Sequence, residues 1–483
     1  MDTDGTGAPR AGEAAAGQEP RRFAIVTYGC QMNEHDSERL AGLLAAEGMV
    51  AAAGVEDADV VVFNTCAIRE NADNRFYGHL GNVKAARRER PGMQVAVGGC
   101  LAQMVGGQIQ ERAGHVDVVF GTHNLARLPA LLAEAARSGP VMEVPDAPAG
   151  VGEATESAHL ALAAVRELPY AAWVTIQSGC DNSCSFCIVP AVRGPEVSRP
   201  VDELVDEVRT LAGRGVTEVT LLGQNVNSYG RDLTRRRPLF AELLRAVGAV
   251  EGIRRVRFTS PHPKDLRPET VAAMAETPAV CNHLHLPLQS GSDRVLSAMR
   301  RGYTAARYLE RLAAARRAVD DLAVTTDLIV GFPGESADDF EETLEVVAEA
   351  RYDSAYTFLF SPRPGTRAAA MSDAFVPPDE MADRFARLRA VVERSALAAH
   401  QDRVGRVEEV IVEGPSKRDA TVTTGRTTQN KLVHFPVPDG RRISPGSFAT
   451  VRVTGAAPHH LSGELVTVTC RPRHKVRIPV AAG

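Results

Sequence analysis

Near-continuous apolar runs alternate with amphipathic stretches along most of this chain. Three early runs, RFAIVTYGC (22–30), ADVVVFNTC (58–66) and QVAVGGC (94–100), each end in a cysteine. Segments of helical periodicity follow the first two: SERLAGLLAAEG (37–48), with Ser37 as its N-cap, and a stretch from about Asn71 to Arg90. Strands apolar on both faces and separated by helices predict a parallel sheet covered on both sides, which a fourth run, HVDVVFGT (115–122), completes. The functional edge of such a sheet lies beyond its strand C-termini, and all three cysteines fall there.

From about Pro140 to Arg166 the periodicity is lost in favour of Gly, Ala, Pro and Glu, which predicts a linker. Strand–helix alternation then resumes, with strands near 171–177, 218–223, 254–259, 283–288, 324–330 and 354–360. Six such units fall short of the eight that close a barrel, so a partial, open (β/α) barrel is expected, with its chemistry at the strand C-termini. A helix over about 377–402 leads into short Val/Thr-rich segments separated by Gly, Pro and Asp, the pattern of a small antiparallel β-barrel. The fold class is α/β. The expected divisions are a tail (1–20), an N-terminal parallel α/β domain (21–138), a linker (139–165), the partial barrel (166–402), the terminal β-barrel (403–472) and a basic tail (473–483).

With 483 residues, 44% hydrophobic and 24% charged, the chain is long enough for several separate cores. No run approaches the roughly 18–20 apolar residues of a membrane span. Residues 1–20 lack the apolar core of a secretory signal, so a cytoplasmic protein that does not bind membranes is expected. The net charge of −5 hides an asymmetry: residues 401–483 carry 13 Lys/Arg against 7 Asp/Glu. A basic terminal module on an acidic body points to a polyanionic partner.

Eight cysteines are too few for a disulfide scaffold and read as metal ligands, reactive thiols or packing residues. Cys180, Cys184 and Cys187 form a C-x3-C-x2-C cluster in the loop after the first barrel strand. Three thiolates so close together suit three corners of an iron–sulfur cube, leaving one iron open to an outside ligand. Zinc is the alternative; it normally takes four protein ligands, and no histidine lies within 161–200. Cys30, Cys66 and Cys100, at equivalent strand ends of one sheet, are expected to gather as a second trio. Cys281 and Cys470 belong to neither group and are taken as packing residues.

The cysteine loop and its place in the barrel resemble the radical S-adenosylmethionine (SAM) enzymes. That resemblance implies a 4Fe-4S cluster on Cys180, Cys184 and Cys187 whose open iron binds SAM and whose electron cleaves it to a 5′-deoxyadenosyl radical. It also implies SAM contacts at Phe186 and at Gly331, Pro333 and Glu335 of the segment TDLIVGFPGE (326–335); Gln224 and Asn225, at another strand end, are placed either to hydrogen-bond the SAM headgroup or to cap a turn. Arg193 and Arg199 are candidates for substrate or SAM carboxylate contacts.

Two cysteine trios followed by a basic β-barrel are similar to the methylthiotransferase family over residues 22 to about 472. The specific stretches are YGCQMNEHDSE, NTCAIRENAD, VGGC, SGCDNSCSFCIVPAVRG, LLGQNVNSYG, TSPHP, LHLPLQSGS, MRRGYT, FSPRPGT and GRTTQNKLV. Ala191 and Val192 depart from the more polar or aromatic residues expected there. The terminal barrel resembles the RNA-binding TRAM module. The likeness is greatest to the branch (MiaB type) that methylthiolates C2 of N6-dimethylallyladenosine beside the tRNA anticodon, consuming two SAM. Branches acting on threonylcarbamoyladenosine or on a ribosomal-protein aspartate are the alternatives. From other classes, an iron–sulfur electron carrier and a zinc-stabilised RNA-binding protein also remain.

The resemblance makes Cys30, Cys66 and Cys100 the seat of an auxiliary 4Fe-4S cluster. Arg426, Lys431, Arg441, Arg442, Arg473 and Lys475 become the phosphate-contacting cations. The expected partners are tRNA with an isopentenylated adenosine in its anticodon loop, an electron donor of the flavodoxin or ferredoxin type, and a sulfur or iron–sulfur carrier. A monomer is expected.

Overall fold

The computed structural model describes residues 19–67, 70–145, 162–437 and 442–472. Most of the expected tail and linker, Arg441, and the basic tail with Arg473 and Lys475 lie outside the described residues.

The N-terminal domain is a six-stranded sheet built from β1 (Arg22–Thr27), β2 (Val50–Ala51), β3 (Val60–Thr65), β4 (Gln94–Gly99), β5 (Val118–Phe120) and β6 (Val141–Glu143). Its order is β2-β1-β3-β4-β5-β6, and every pairing is parallel. The central strands β3 and β4 are buried along their whole length. Their alternate residues feed two cores. Val61, Phe63, Val95 and Val97 pack with Phe76 and Leu80 on one face, while Val60, Val62 and Ala96 pack with Leu40, Leu44 and Leu131 on the other. Near-continuous apolar runs are the sequence expression of this double burial.

Two elements differ from the sequence expectation. The first helix spans Gln31–Ala46, with Cys30 rather than Ser37 at its N-cap. Its opening turns bury Asn33, His35, Asp36 and Arg39, a polar face that meets another domain and carries no apolar periodicity. Ser37 instead shares a 2.7 Å hydrogen bond with Thr27 Oγ1 and accepts from Asn64 Nδ2 at 3.0 Å. The sheet also extends past the fourth run: Val141–Glu143, inside the segment read as linker, pairs with β5 as an edge strand.

The barrel strands are β7 (Ala171–Thr175), β10 (Glu218–Leu222), β11 (Arg255–Phe258), β12 (His283–His285), β13 (Ala323–Val330) and β14 (Ser354–Leu359), with a hairpin of β8 (Gln177–Ser178) and β9 (Val197–Ser198) after the first. They form two parallel three-stranded sheets, β11-β10-β7 and β12-β13-β14. Val256 N donates to Ala279 O at 2.7 Å and Cys281 N to Val256 O at 2.9 Å, linking the halves into one open arc. One core runs between this arc and its helices.

The last five strands, β15 (Val407–Pro415), β16 (Val422–Thr427), β17 (Leu432–Pro436), β18 (Phe448–Ala457) and β19 (His460–Cys470), close into a barrel. It is not wholly antiparallel, because β17 and β19 pair in parallel where the barrel closes. Arg255 and Arg257, on β11, donate to the backbone carbonyls of Glu409, Arg426, Thr427 and Thr428 at 2.6–3.1 Å. These buried guanidiniums, bonded across the seam to carbonyls, hold the two barrels in fixed register.

Two residues expected to touch RNA phosphate lie in or beside this seam. Lys431 is buried and places Nζ 2.5 Å from Asp353 Oδ1. Arg426 is half-buried and paired with Glu413 at 2.5 Å. Their charges are already neutralised within the protein. Arg442 is exposed. Cys281 is buried, as expected of a packing residue, whereas Cys470 is exposed at the end of the last strand.

Candidate active site

Strands β1, β3 and β4 are neighbours, with Thr27 in register with Asn64 and Thr65 with Gly99, so their C-terminal ends lie side by side. Each end delivers a cysteine. Cys30 caps the helix Gln31–Ala46, Cys66 directly follows β3, and Cys100 opens the helix Cys100–Val105. Gly29 has φ 129°, and a Cβ there would lie 3.0 Å from the Cys66 Cβ and 2.8 Å from Asn33 Oδ1. Only glycine allows so close an approach between the loops bearing Cys30 and Cys66. Asn33 fastens them, accepting from the Cys30 thiol at 3.5 Å and donating to Thr65 O at 3.0 Å. Burial pushes the Cys100 thiol up, and the neighbouring Arg193 guanidinium opposes that shift.

The second trio occupies the loop bracketed by β8 and β9. Cys180 N donates to Gly194 O at 3.0 Å, closing the loop at its base. Gly179 has φ 76°, and a Cβ there would lie 1.8 Å from Pro195 O. Ser185 staples the loop to the barrel by donating from N to Met299 O (3.1 Å) and from Oγ to Ala298 O (2.8 Å). Cys180, Cys184 and Cys187 line a cavity of about 430 Å³ together with Arg300, Thr366 and Arg367. Burial pushes the Cys180 thiol up to about 11 and the Cys187 thiol up to about 12. Thiols this reluctant to ionise become thiolates when a metal replaces the proton.

Several groups around this loop were not singled out in the sequence. Arg301, buried, donates to the Cys184 sulfur at 3.5 Å and to Pro287 O at 3.1 Å. Asn182 Nδ2 approaches the Cys180 sulfur at 3.6 Å, and its Oδ1 accepts from Lys264 Nζ at 2.7 Å. The stretch MRRGYT holds Arg301, but nothing local distinguishes a buried arginine there from a solvated one.

The two trios adjoin. Ile188, directly after Cys187, packs with Val192 against Ala67 and Cys100 in one small apolar cluster. Thr122 Oγ1 donates to Val192 O at 2.5 Å across the same seam. The short helix Val189–Arg193 is therefore shared between the two thiol sets.

Among the expected SAM contacts, Phe186 packs with Val295, Met299 and Phe332 beside the cysteine loop. Gly331 and Pro333 sit in the turn after β13, and Gly331 N donates to Glu335 Oε2 at 2.8 Å. Glu335 itself is buried and ion-paired with Arg384 at 2.9 Å, so its carboxylate holds the turn from inside the fold. Asn225 is likewise engaged, donating to Asp265 Oδ2 at 2.9 Å. Gln224 keeps a buried Oε1 without a hydrogen-bond partner among the described residues. Arg199 is buried against Glu207 (2.6 Å) and Thr175 O (3.2 Å), and Arg193 against Asp36 (2.7 Å). Neither faces solvent as a free substrate contact.

The donor set fits an iron–sulfur group at both places, because each trio offers three thiols, on one loop or on neighbouring strand ends, and so leaves a fourth metal corner for another ligand. Among the described residues, no three His, Cys, Asp or Glu side chains are grouped to hold a single metal ion.

Residues 174–347 match the model of the Radical SAM superfamily, 22–121 that of the Uncharacterized protein family UPF0004, and 401–466 that of the TRAM domain. A tRNA-2-methylthio-N(6)-dimethylallyladenosine synthase of Acidothermus cellulolyticus is 54% identical over 468 residues, covering 96% of this chain and 92% of that protein. A protein of the same description from Thermobifida fusca is 52% identical over 446 residues, 92% of this chain and 89% of that one. Among solved structures, a radical S-adenosylmethionine methyltransferase of Kitasatospora setae aligns with TM-score 0.53 at 15% identity, over 73% of this chain and 74% of that one. At that identity the likeness is one of fold alone.

Proposed function

The chain belongs to the family of tRNA-2-methylthio-N(6)-dimethylallyladenosine synthases, and from that premise we propose that its two cysteine trios divide the reaction between them. It is a radical SAM enzyme that methylthiolates tRNA. In this reading Cys180, Cys184 and Cys187 hold one 4Fe-4S cluster and Cys30, Cys66 and Cys100 hold an auxiliary one. When bound, the first supplies, with SAM, the radical that takes hydrogen from C2 of the dimethylallyladenosine, and the second supplies the sulfur that a second SAM methylates.

The protein's own residues position and enclose. Phe186 and the Gly331–Glu335 turn form an apolar, backbone-lined wall beside the cysteine loop, suited to a nucleoside. Gln224 offers an unmet acceptor to the SAM headgroup. Arg300 and Arg367, exposed at the cavity, offer charge to the phosphates of an incoming anticodon loop, where a base is splayed out at low cost. In the terminal barrel, Lys417, Arg418 and Arg442 are exposed and replace Lys431 and Arg426 as phosphate contacts. An electron donor of the flavodoxin or ferredoxin type and a sulfur or iron–sulfur carrier complete the reaction.

The observation that supports this reading best is the shared helix Val189–Arg193, which ties the cysteine loop to the sheet edge bearing the other trio. The test is anaerobic turnover of the full-length enzyme with SAM, reductant and tRNA carrying either N6-dimethylallyladenosine or threonylcarbamoyladenosine, read by nucleoside mass spectrometry. A methylthio mark on the first substrate alone is expected. A mark on the second alone would transfer the chain to the other branch.

A further inference from the structure

Arg193 belongs to the barrel by sequence but to the N-terminal domain by contact. It ends the short helix that follows Cys187, and only 6% of it is exposed. Its Nη2 donates to Asp36 Oδ2 at 2.7 Å, and the helix it ends lays Ile188 and Val192 against Cys100, which brings its positive charge close to the thiols of Cys100 and Cys30. Asp36 is shared with a second buried guanidinium, Arg39, at 3.4 Å. Burying a guanidinium is costly unless anionic groups surround it. Asp36 is thus shared between two guanidiniums, and the positive charge of Arg193 also acts on the thiols of Cys100 and Cys30.

Three thiolates around an oxidised 4Fe-4S core give a group with one net negative charge, and adding an electron makes it more negative. A cation held close to the ligating sulfurs stabilises that added charge, raising the reduction potential. We propose that Arg193 is a positioning residue that raises the reduction potential of a cluster on Cys30, Cys66 and Cys100, and that Asp36 sets how much of its charge reaches the cluster. This rests on the reading that those cysteines hold a cluster. The step it governs is a one-electron reduction of the core by an external titrant, with no bond made or broken.

The test uses full-length protein in which Cys180, Cys184 and Cys187 are all alanine, reconstituted anaerobically with iron and sulfide. Iron content is measured first, and then the potential by redox titration followed by electron paramagnetic resonance. Arg193→Gln should lower the reduced-to-oxidised ratio at fixed potential at least about tenfold, equivalent to about 59 mV for one electron. Asp36→Asn should move it the opposite way, and Arg193→Lys should recover much of the loss. If the parent protein retains no iron, the auxiliary-cluster reading itself falls. If iron is retained but Arg193→Gln leaves the potential unchanged, or both substitutions shift it in the same direction as a general loosening would, the role of Arg193 is refuted. Should Arg193→Gln lose its iron, Asp36→Asn and Arg193→Lys still decide through the expected rise and the near-parental value.

Discussion

Cys100 and Ile188 pack together in one apolar cluster although the first ends a strand–turn of the N-terminal sheet and the second follows the last cysteine of the barrel loop. Through this contact the two thiol trios share a wall, while each keeps its own loop and its own fastening asparagine, Asn33 for one and Asn182 for the other.

Separate seats predict separable losses. Cys184→Ala should abolish formation of 5′-deoxyadenosine from SAM. Cys66→Ala should retain that cleavage to a measurable degree yet give no methylthiolated tRNA. Chromatography of both products from the same incubation checks this, and thiolation by the Cys66 variant would remove the auxiliary role.

Lys431 should matter for stability and not for RNA affinity. Removing its ammonium leaves the partly buried Asp353 carboxylate beside the barrel seam without its cationic partner. Lys431→Ala should therefore cost about 3 kcal/mol in denaturant unfolding. The binding constant of its folded fraction for tRNA should stay within about twofold. Arg442→Ala should do the reverse, leaving stability alone and reducing the salt slope of tRNA binding by about one.

These contrasts show how far the sequence could be read. The strands were legible because parallel β-structure buried on both faces writes itself as unbroken Val/Ile/Phe runs, and the cysteines were legible because loop spacing survives folding. The start of the first helix was not, since its buried face carries Asn33, His35, Asp36 and Arg39, whose partners lie on other segments. Lys431 misled for the same reason. A lone charged residue in a turn reads as exposed, and only the fold brings Asp353 to meet it. The edge strand Val141–Glu143 is too short to stand out from a linker.

Glu335→Gln gives a third contrast. It weakens the buried pair with Arg384 that fixes the turn after β13, so unfolding stability should fall by about 2–3 kcal/mol. Calorimetric SAM affinity of the folded, cluster-loaded protein should change less than threefold. A large loss of affinity with unchanged stability would return Glu335 to direct SAM contact.

The junction of the long helix Pro378–Gln401 with the terminal barrel should be acid-sensitive. His400 Nδ1 donates to Ala457 O at 2.5 Å, and burial lowers its pKa to about 4. The unfolded chain takes up that proton first, near the ordinary value of about 6.5. Its contribution is thus whole above that value and is lost progressively as pH falls towards 4, amounting to about 3 kcal/mol. His400→Gln should flatten the stability profile across that window, as thermal unfolding at several pH values would reveal.

The most direct test of the whole account is the iron and sulfide content of the full-length protein prepared without oxygen. Two occupied trios predict about eight irons and eight sulfides per chain, falling to about four of each when either trio is changed to alanine. A value of about four in the unaltered protein, unchanged by replacing Cys30, Cys66 and Cys100, would contradict it.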